Sequence, residues 1–164
     1  MNDAKSIELA FAQTIRQFAQ IGSETKMRVF QSMDFEGDLD TSQGRSFPVL
    51  SVSASPPQSE DNQSTMFCDI SLICATKVDD DRNHSYLSDM YGEVQKLMNK
   101  IYSQFRYGDG EEYCFLNDRI VEHSTAEINT PVSLTWGDSL APAEDQGLNV
   151  IGIGVRVHYG RSDF

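Results

Sequence analysis

Apolar residues recur along this chain in two periods, one typical of helices and the other typical of strands. Near the N-terminus they are three or four residues apart, at Ile7, Phe11, Ile15 and Phe18. This spacing aligns them along one side of a helix. It predicts an amphipathic helix over residues 3–20, with Gly22 just beyond it as a stop signal.

A second helical pattern follows three aspartates at positions 79–81. Its apolar residues fall on one helix face, at Leu87, Met90, Tyr91, Val94, Leu97, Met98, Ile101 and Phe105. They predict a helix over about residues 83–106 that packs on a sheet. The aspartates and Asn83 are candidate N-cap residues, and residues 107–110 (YGDG) end the helix.

Strand patterns occupy much of the remaining chain. Residues 47–54 are apolar on both faces, which predicts a strand in the middle of the sheet with Pro48 near its start. Residues 66–76 and 148–159 alternate between apolar and polar, the signature of strands with one buried face. Their apolar positions are Met66, Cys68, Ile70, Leu72 and Cys74, and Ile151, Ile153, Val155, Val157 and Tyr159.

The other segments have weaker patterns. Residues 26–32 and 126–136 each predict a strand, and residues 111–121 predict one or two short strands. Polar composition predicts loops at 34–45, 55–65 and 137–147. The order of helix, strands, helix and strands predicts an α+β fold, with a mostly antiparallel sheet on which the N-terminal helix and the long helix pack.

The length and the net charge of the chain restrict the classes of function that it can have. The chain has 164 residues, which predicts a single domain over residues 1–164. Its formal net charge of −12 excludes a sequence-independent nucleic-acid binder and argues against docking on an anionic membrane. The chain lacks the long uncharged apolar stretch of a membrane helix, and its first residues do not resemble a secretory signal.

The three cysteines are Cys68, Cys74 and Cys114, an odd number that favours reduced thiols. Cys68 and Cys74 fall on one predicted strand, about 20 Å apart at about 3.3 Å per residue. That separation is too long for a disulfide. We expect the cysteines to be small buried hydrophobic residues.

The sequence has no segment with the residue spacing that known metal-binding, nucleotide-binding or catalytic motifs require. A calcium loop begun at Asp34 has Leu39 where glycine is needed, and one begun at Asp79 has His84 there. Gly152 and Gly154 lie inside a strand pattern, where glycines allow a neighbouring segment to approach closely. The histidines His84, His123 and His158 are scattered. We therefore expect no enzyme, no cofactor and no metal.

The order of segments from Phe47 to Met98 follows a recognisable plan. A Pro48-containing strand ends in small residues at 53–55, and a polar loop leads to an alternating strand that includes residues 69–74. An Asp-Asp pair at 79–80 then precedes a helix that opens near His84. With the last strand, NVIGIGVRVHYG, and the N-terminal helix, this plan resembles the tail terminator (tail completion) proteins of long-tailed bacteriophages. Residues 100–147 carry little of the resemblance.

The resemblance implies a structural virion protein. Such proteins form a ring, commonly a hexamer, on the head-proximal end of the tail tube, where the ring ends tube polymerisation and joins the tail to the head. The implied partners are further copies of the chain, the tail tube protein and a head–tail connector or stopper protein. The implied location is the neck of the virion, after assembly in the host cytoplasm, with no catalysis and no cofactor.

A ring in this position must let DNA pass without binding it, and carboxylates repel phosphates. We therefore expect an acidic loop to face the channel. The candidate residues are Asp34, Glu36, Asp38 and Asp40 in one loop and Glu60 and Asp61 in another. The alternative is that these loops only keep the outer surface soluble.

Two other functions remain open from the residues. One is a different structural component of the neck or tail tube. The other, from a different class, is a small cytosolic enzyme or ligand-binding domain whose site is assembled from scattered polar residues. A deep pocket with converging polar groups would favour the enzyme or binding domain, whereas paired flat interfaces would favour a ring protomer.

Overall fold

A seven-stranded sheet and three helices make up most of the chain that the computed structural model describes. The described residues are 2–21, 25–26, 29–31, 49–60, 65–79, 81, 83, 85–145 and 147–162. The helices are α1 (Asp3–Phe18), α2 (Ser85–Tyr107) and α3 (Glu111–His123). The strands are β1 (Gln20–Ile21), β2 (Thr25–Lys26), β3 (Val29–Gln31), β4 (Val49–Ala54), β5 (Gln58–Ser59), β6 (Thr65–Lys77), β7 (Ile128–Trp136), β8 (Leu140–Asp145) and β9 (Leu148–Arg161). The predicted α+β fold is confirmed.

The sheet is antiparallel except at one edge. Its order is β3-β4-β6-β9-β7, with β5 paired to β6 and β8 paired to β9, while β1 and β2 form a separate pair. Only β3 and β4 run parallel among the paired strands described. The apolar strand β4 lies between β3 and β6, which confirms its predicted place inside the sheet.

The long pair β6 and β9 forms the centre of the sheet. The two strands pair from Thr65 opposite Gly160 to Lys77 opposite Leu148. The helix-side face of the pair is apolar, and all three helices share one hydrophobic core with it. The other face, called the outer face here, has polar residues over the middle of the pair, where Asp69 lies opposite Arg156. The predicted alternation of both strands is confirmed.

The carboxylate of Asp81 links the start of helix α2 to strand β6 through hydrogen bonds. The backbone N–H groups of Tyr86 and Leu87 donate to this carboxylate at 3.0 and 3.1 Å, and the Thr76 hydroxyl of β6 donates at 2.9 Å. These bonds satisfy amide groups that a helix start leaves without partners. The prediction that an aspartate caps this helix is therefore confirmed. At the other end the chain leaves the helix at Gly108, which has a φ of +71°.

The prediction of strands over 111–121 is wrong, because this segment forms helix α3. The adjacent apolar residues Cys114 and Phe115 interrupt the helical period and resemble a short strand. The helix nevertheless buries positions at intervals of three and four: Tyr113, Leu116, Asn117 and Ile120. Two side chains of α3 bond to the backbone of Val132 in β7: the Tyr113 hydroxyl donates to the Val132 carbonyl, and the Asn117 side chain accepts from the Val132 N–H. Val132 lies where β7 shifts register against β9.

The prediction of a loop over 137–147 is wrong in its second part, where β8 pairs with β9. Strands β7 and β8 lie along the same edge of β9, and residues 137–139 form a bulge between them. The pattern of a buried strand is missing because Ala141 to Glu144 are exposed at this edge. Proline and charged residues are common on such edges, and Pro142 and Glu144 lie here.

Smaller predictions have mixed outcomes. Helix α1 ends at Phe18 rather than at residue 20, and the 55–65 segment contains the short strand β5. The predicted strand over 26–32 includes β3. Gly22, Pro48, His84 and the predicted loop over 34–45 lie outside the described residues.

The bulge at 137–139 crosses the outer face directly over the glycines of β9. A Cβ atom at Gly154 would lie 2.1 Å from the Asp138 carbonyl oxygen, and one at Gly152 would lie 3.0 Å from the Leu140 Cβ. The Gly137 N–H also donates to the Gly154 carbonyl at 2.8 Å. The expectation that these glycines allow a close approach is confirmed.

We predict that Gly154→Ala destabilises the protein by about 1–3 kcal/mol, since the new methyl group must displace the backbone of the bulge. Gly92→Ala is the matched control, because a Cβ atom added there, on the exposed side of α2, would have no neighbouring atom within 4 Å. Replacing this helical glycine should stabilise by about 0.5–1 kcal/mol. Urea unfolding followed by circular dichroism measures both. Equal midpoints for Gly154→Ala and the wild type would contradict the prediction.

Candidate functional site

The outer face carries a polar cluster centred on Arg156. Its guanidinium donates to both carboxylate oxygens of Asp69, at 2.8 and 3.1 Å, and lies 4.1 Å from the centre of the Phe67 ring. The bonds to Asp69 raise the pKa of Arg156, and the charges of Asp138 and Glu60 act in the same direction. Register accounts for the pair, because the two residues lie opposite each other on β6 and β9.

His158 extends this cluster in two directions. Its Nδ1 contacts the Glu60 carboxylate beyond β5, and its Nε2 lies 2.9 Å from the Thr135 hydroxyl on β7. The imidazole therefore connects the segment after β5 to the sheet. Glu60, predicted as a channel-facing residue, is the member of that set that the structure describes, and it is found in this cluster.

An open pocket of about 430 Å³ lies between the cluster and the bulge at 137–139. Asp69, Asp138, Arg156 and Trp136 are among its lining residues. Trp136 lies opposite Val155, so its indole is on the helix side of the sheet, where it stacks on Tyr102 of α2 with ring centres 5.8 Å apart and remains 45% exposed. With Glu60 nearby, three carboxylates surround one guanidinium, and the pocket has an excess of negative charge.

A second open cleft, of about 610 Å³, lies on the solvent side of α1 and α3. Arg119 lies 4.6 Å from the centre of the Phe115 ring and donates to Glu122 at 2.6 Å. Arg16, from α1, donates to the Val29 carbonyl at 2.7 Å. His123 completes the cleft through a 2.7 Å hydrogen bond between its Nε2 and the Gln13 side chain.

Buried carboxylates are a feature that sequence reasoning missed. Four of them have partners in other elements or along their own helix, namely Asp3, Glu8, Asp81 and Glu112. Burial alone would raise the pKa of Glu112, but hydrogen bonds from Lys100 (2.8 Å) and Gln104 (2.6 Å) outweigh it and lower that pKa. These partners join helices and strands. No signal along the chain pairs residues as distant as Asp3 and Arg161.

The cysteines are free, as predicted, but they differ in exposure. Cys68 and Cys74 lie buried in β6, and burial raises the pKa of each thiol to about 12. Cys114 lies on the exposed side of α3, so the expectation of burial is wrong for this residue. Its neighbours Tyr113 and Leu116 take the buried positions of the helix turn.

The other predicted channel-facing residues lie outside the described residues: Asp34, Glu36, Asp38, Asp40 and Asp61. The two described histidines stay apart, with His158 on the outer face and His123 between α1 and α3. Within the described ranges, no group of three or more His, Cys, Asp or Glu side chains is arranged to hold a metal ion.

A comparison of the chain with protein-family models finds no match, and a comparison with curated proteins finds none either. Among the described helices, none combines the length and the apolar character needed to cross a membrane. The arguments for function therefore come from the residues and from the geometry.

We predict that one thiol per native chain reacts rapidly with an aromatic disulfide reagent near neutral pH. Cys114 is exposed, whereas the thiolate needed for reaction is scarce at Cys68 and Cys74, whose pKa values are raised to about 12. Unfolding in guanidinium should release all three thiols. Cys114→Ser is the control and should abolish the rapid phase; a rapid phase that persists in this variant would contradict the assignment.

Proposed function

We propose that this protein is a tail terminator of a long-tailed bacteriophage, which forms a ring at the head-proximal end of the tail tube. The observation that carries the proposal is the sequence plan from Phe47 to Met98 together with the last strand. In the fold these segments are neighbours: β4, β6 and β9 are adjacent strands at the centre of the sheet, and α2 packs on them. The described strands and helix behind the resemblance thus pack against one another.

The surface chemistry of the described residues supports a structural role. The acidic pocket and the cleft between α1 and α3 are both open to solvent, and each contains an arginine that is paired with a carboxylate of the same cleft. Asp69 and Arg156 pair with each other, as do Arg119 and Glu122. An enzyme site usually holds polar groups that converge on a space for substrate.

In this role the protein has three kinds of partner. Copies of the chain form the ring, the tail tube protein lies on one side, and a head–tail connector or stopper protein lies on the other. DNA passes through the ring without specific binding, in keeping with the net charge of −12. The protein would then belong to the neck of the virion, after assembly in the host cytoplasm.

We predict that the purified chain forms a closed ring, of about six copies, either alone or on the end of the tail tube. Native mass spectrometry gives the copy number, and electron microscopy of tubes assembled with and without the chain gives their length. With the chain, tubes should be capped and uniform; without it, they should continue to grow. Tubes of unchanged length and a monomeric chain under both conditions would overturn the proposal. A ring elsewhere in the neck would favour the related structural component.

We predict that neutralising one predicted channel loop makes the virion retain DNA. The variant replaces Asp34, Asp38 and Asp40 with Asn and Glu36 with Gln, which removes four negative charges. The matched control removes the same charge from exposed positions on and between α2 and α3: Asp89, Asp109, Glu111 and Asp118. DNA ejection measured on purified virions should slow for the loop variant alone. Equal ejection by both variants would favour the alternative that this loop only solubilises the surface.

A further inference from the structure

Two open clefts in the described part of the molecule have opposite charge. The acidic pocket on the outer face has carboxylates from Asp69, Asp138 and Glu60 around the single guanidinium of Arg156. The cleft between α1 and α3, called the arginine cleft here, has Arg16 and Arg119 around Glu122. Counting the residues that the structure describes, the first cleft therefore has a negative excess and the second a positive excess. Surfaces of opposite potential attract during association and fix the register of the complex.

Each cleft also has an arginine that lies over an aromatic ring. Arg156 lies 4.1 Å from the centre of the Phe67 ring in the outer-face cluster, and Arg119 lies 4.6 Å from the centre of the half-buried Phe115 ring in the arginine cleft. Such cation–π contacts hold each guanidinium against an apolar surface. Arginine is also among the residue types most often found at the energetic centres of interfaces.

The clefts lie on different sides of the fold. The acidic pocket is on the outer face beside β7, whereas the arginine cleft is on the solvent side of the helix layer. A contact between two different surfaces is heterologous. When two copies join in this way, one copy still has a free acidic pocket and the other a free arginine cleft. Repetition of such a contact closes a ring or extends a filament.

We propose that the acidic pocket of one copy of this chain receives the arginine cleft of the next copy. The partly exposed side chain of Arg119 and the exposed side chain of Asp138 are the main charged groups brought into opposition. The inference rests on the proposed function, because a ring supplies the repeated heterologous contact.

A charge-reversal cycle tests this contact. Arg119→Glu and Asp138→Arg each place like charges against each other, so either single variant should weaken association by at least about tenfold, equivalent to about 1.4 kcal/mol. Light scattering and native mass spectrometry measure assembly, with circular dichroism as the check on folding. The charge-matched controls Arg106→Glu and Asp109→Arg alter exposed positions near the end of α2 and should assemble like the wild type.

Two further samples, the double variant and a mixture of the two single variants, distinguish a specific contact from a general effect of charge. The double variant should recover assembly, and so should a mixture of the two single variants. In that mixture alternate contacts join a reversed cleft to a reversed pocket and an unaltered cleft to an unaltered pocket. Single variants that assemble normally, or losses that neither sample restores, would overturn the contact.

The same experiment distinguishes the two proposals. If the wild-type chain forms a ring that caps tubes and the charge-reversed variants assemble equally well, the contact is overturned and the proposed function stands. Assembly that follows the charge cycle without any effect on tube length supports the contact and overturns the terminator role. A wild-type chain that is monomeric both alone and with tubes overturns both.

Discussion

The pairing of β6 with β9 is the constraint on which the rest of the structure depends. Successive side chains of a strand point to opposite faces, so a shift of one strand by one residue would exchange the two faces of that strand. If β9 shifted against β6, Val155 would move to the outer face and Arg156 would enter the helix-side core. The same register therefore determines the hydrophobic core and the exposed polar cluster, and neither can change without the other.

The helix layer is held to this pair by buried carboxylates at both of its ends. At one end Asp81 accepts hydrogen bonds from the start of α2 and from Thr76 of β6. At the other, Asp3 of α1 accepts from Tyr159 and Arg161 of β9. A buried carboxylate is costly without partners, so these bonds favour one placement of each helix over others with similar apolar contact.

Local period and long-range pairing explain which features the sequence alone predicts. Strands β6 and β9 and helix α2 each sustain one period over many residues, and their predictions are confirmed. Helix α3 is short and has adjacent apolar residues, and β8 becomes a strand only because β9 lies beside it. Alternation predicts that Asp69 and Arg156 both lie on the outer face, but their contact depends on a register between segments far apart in the chain.

Net charge and local charge have different consequences for association. A net charge of −12 makes identical copies repel one another, so assembly needs contacts at which opposite charges meet. Several cations of the described chain are already paired within their own copy, as Lys100 is with Glu112 and Arg161 is with Asp3. Arg119 is paired with an exposed partner, Glu122, and water readily replaces either member of such a surface pair. In the proposed contact, Arg119 would therefore leave Glu122 for a neighbouring copy without leaving a buried charge behind, which makes it better suited to that contact than Lys100 or Arg161.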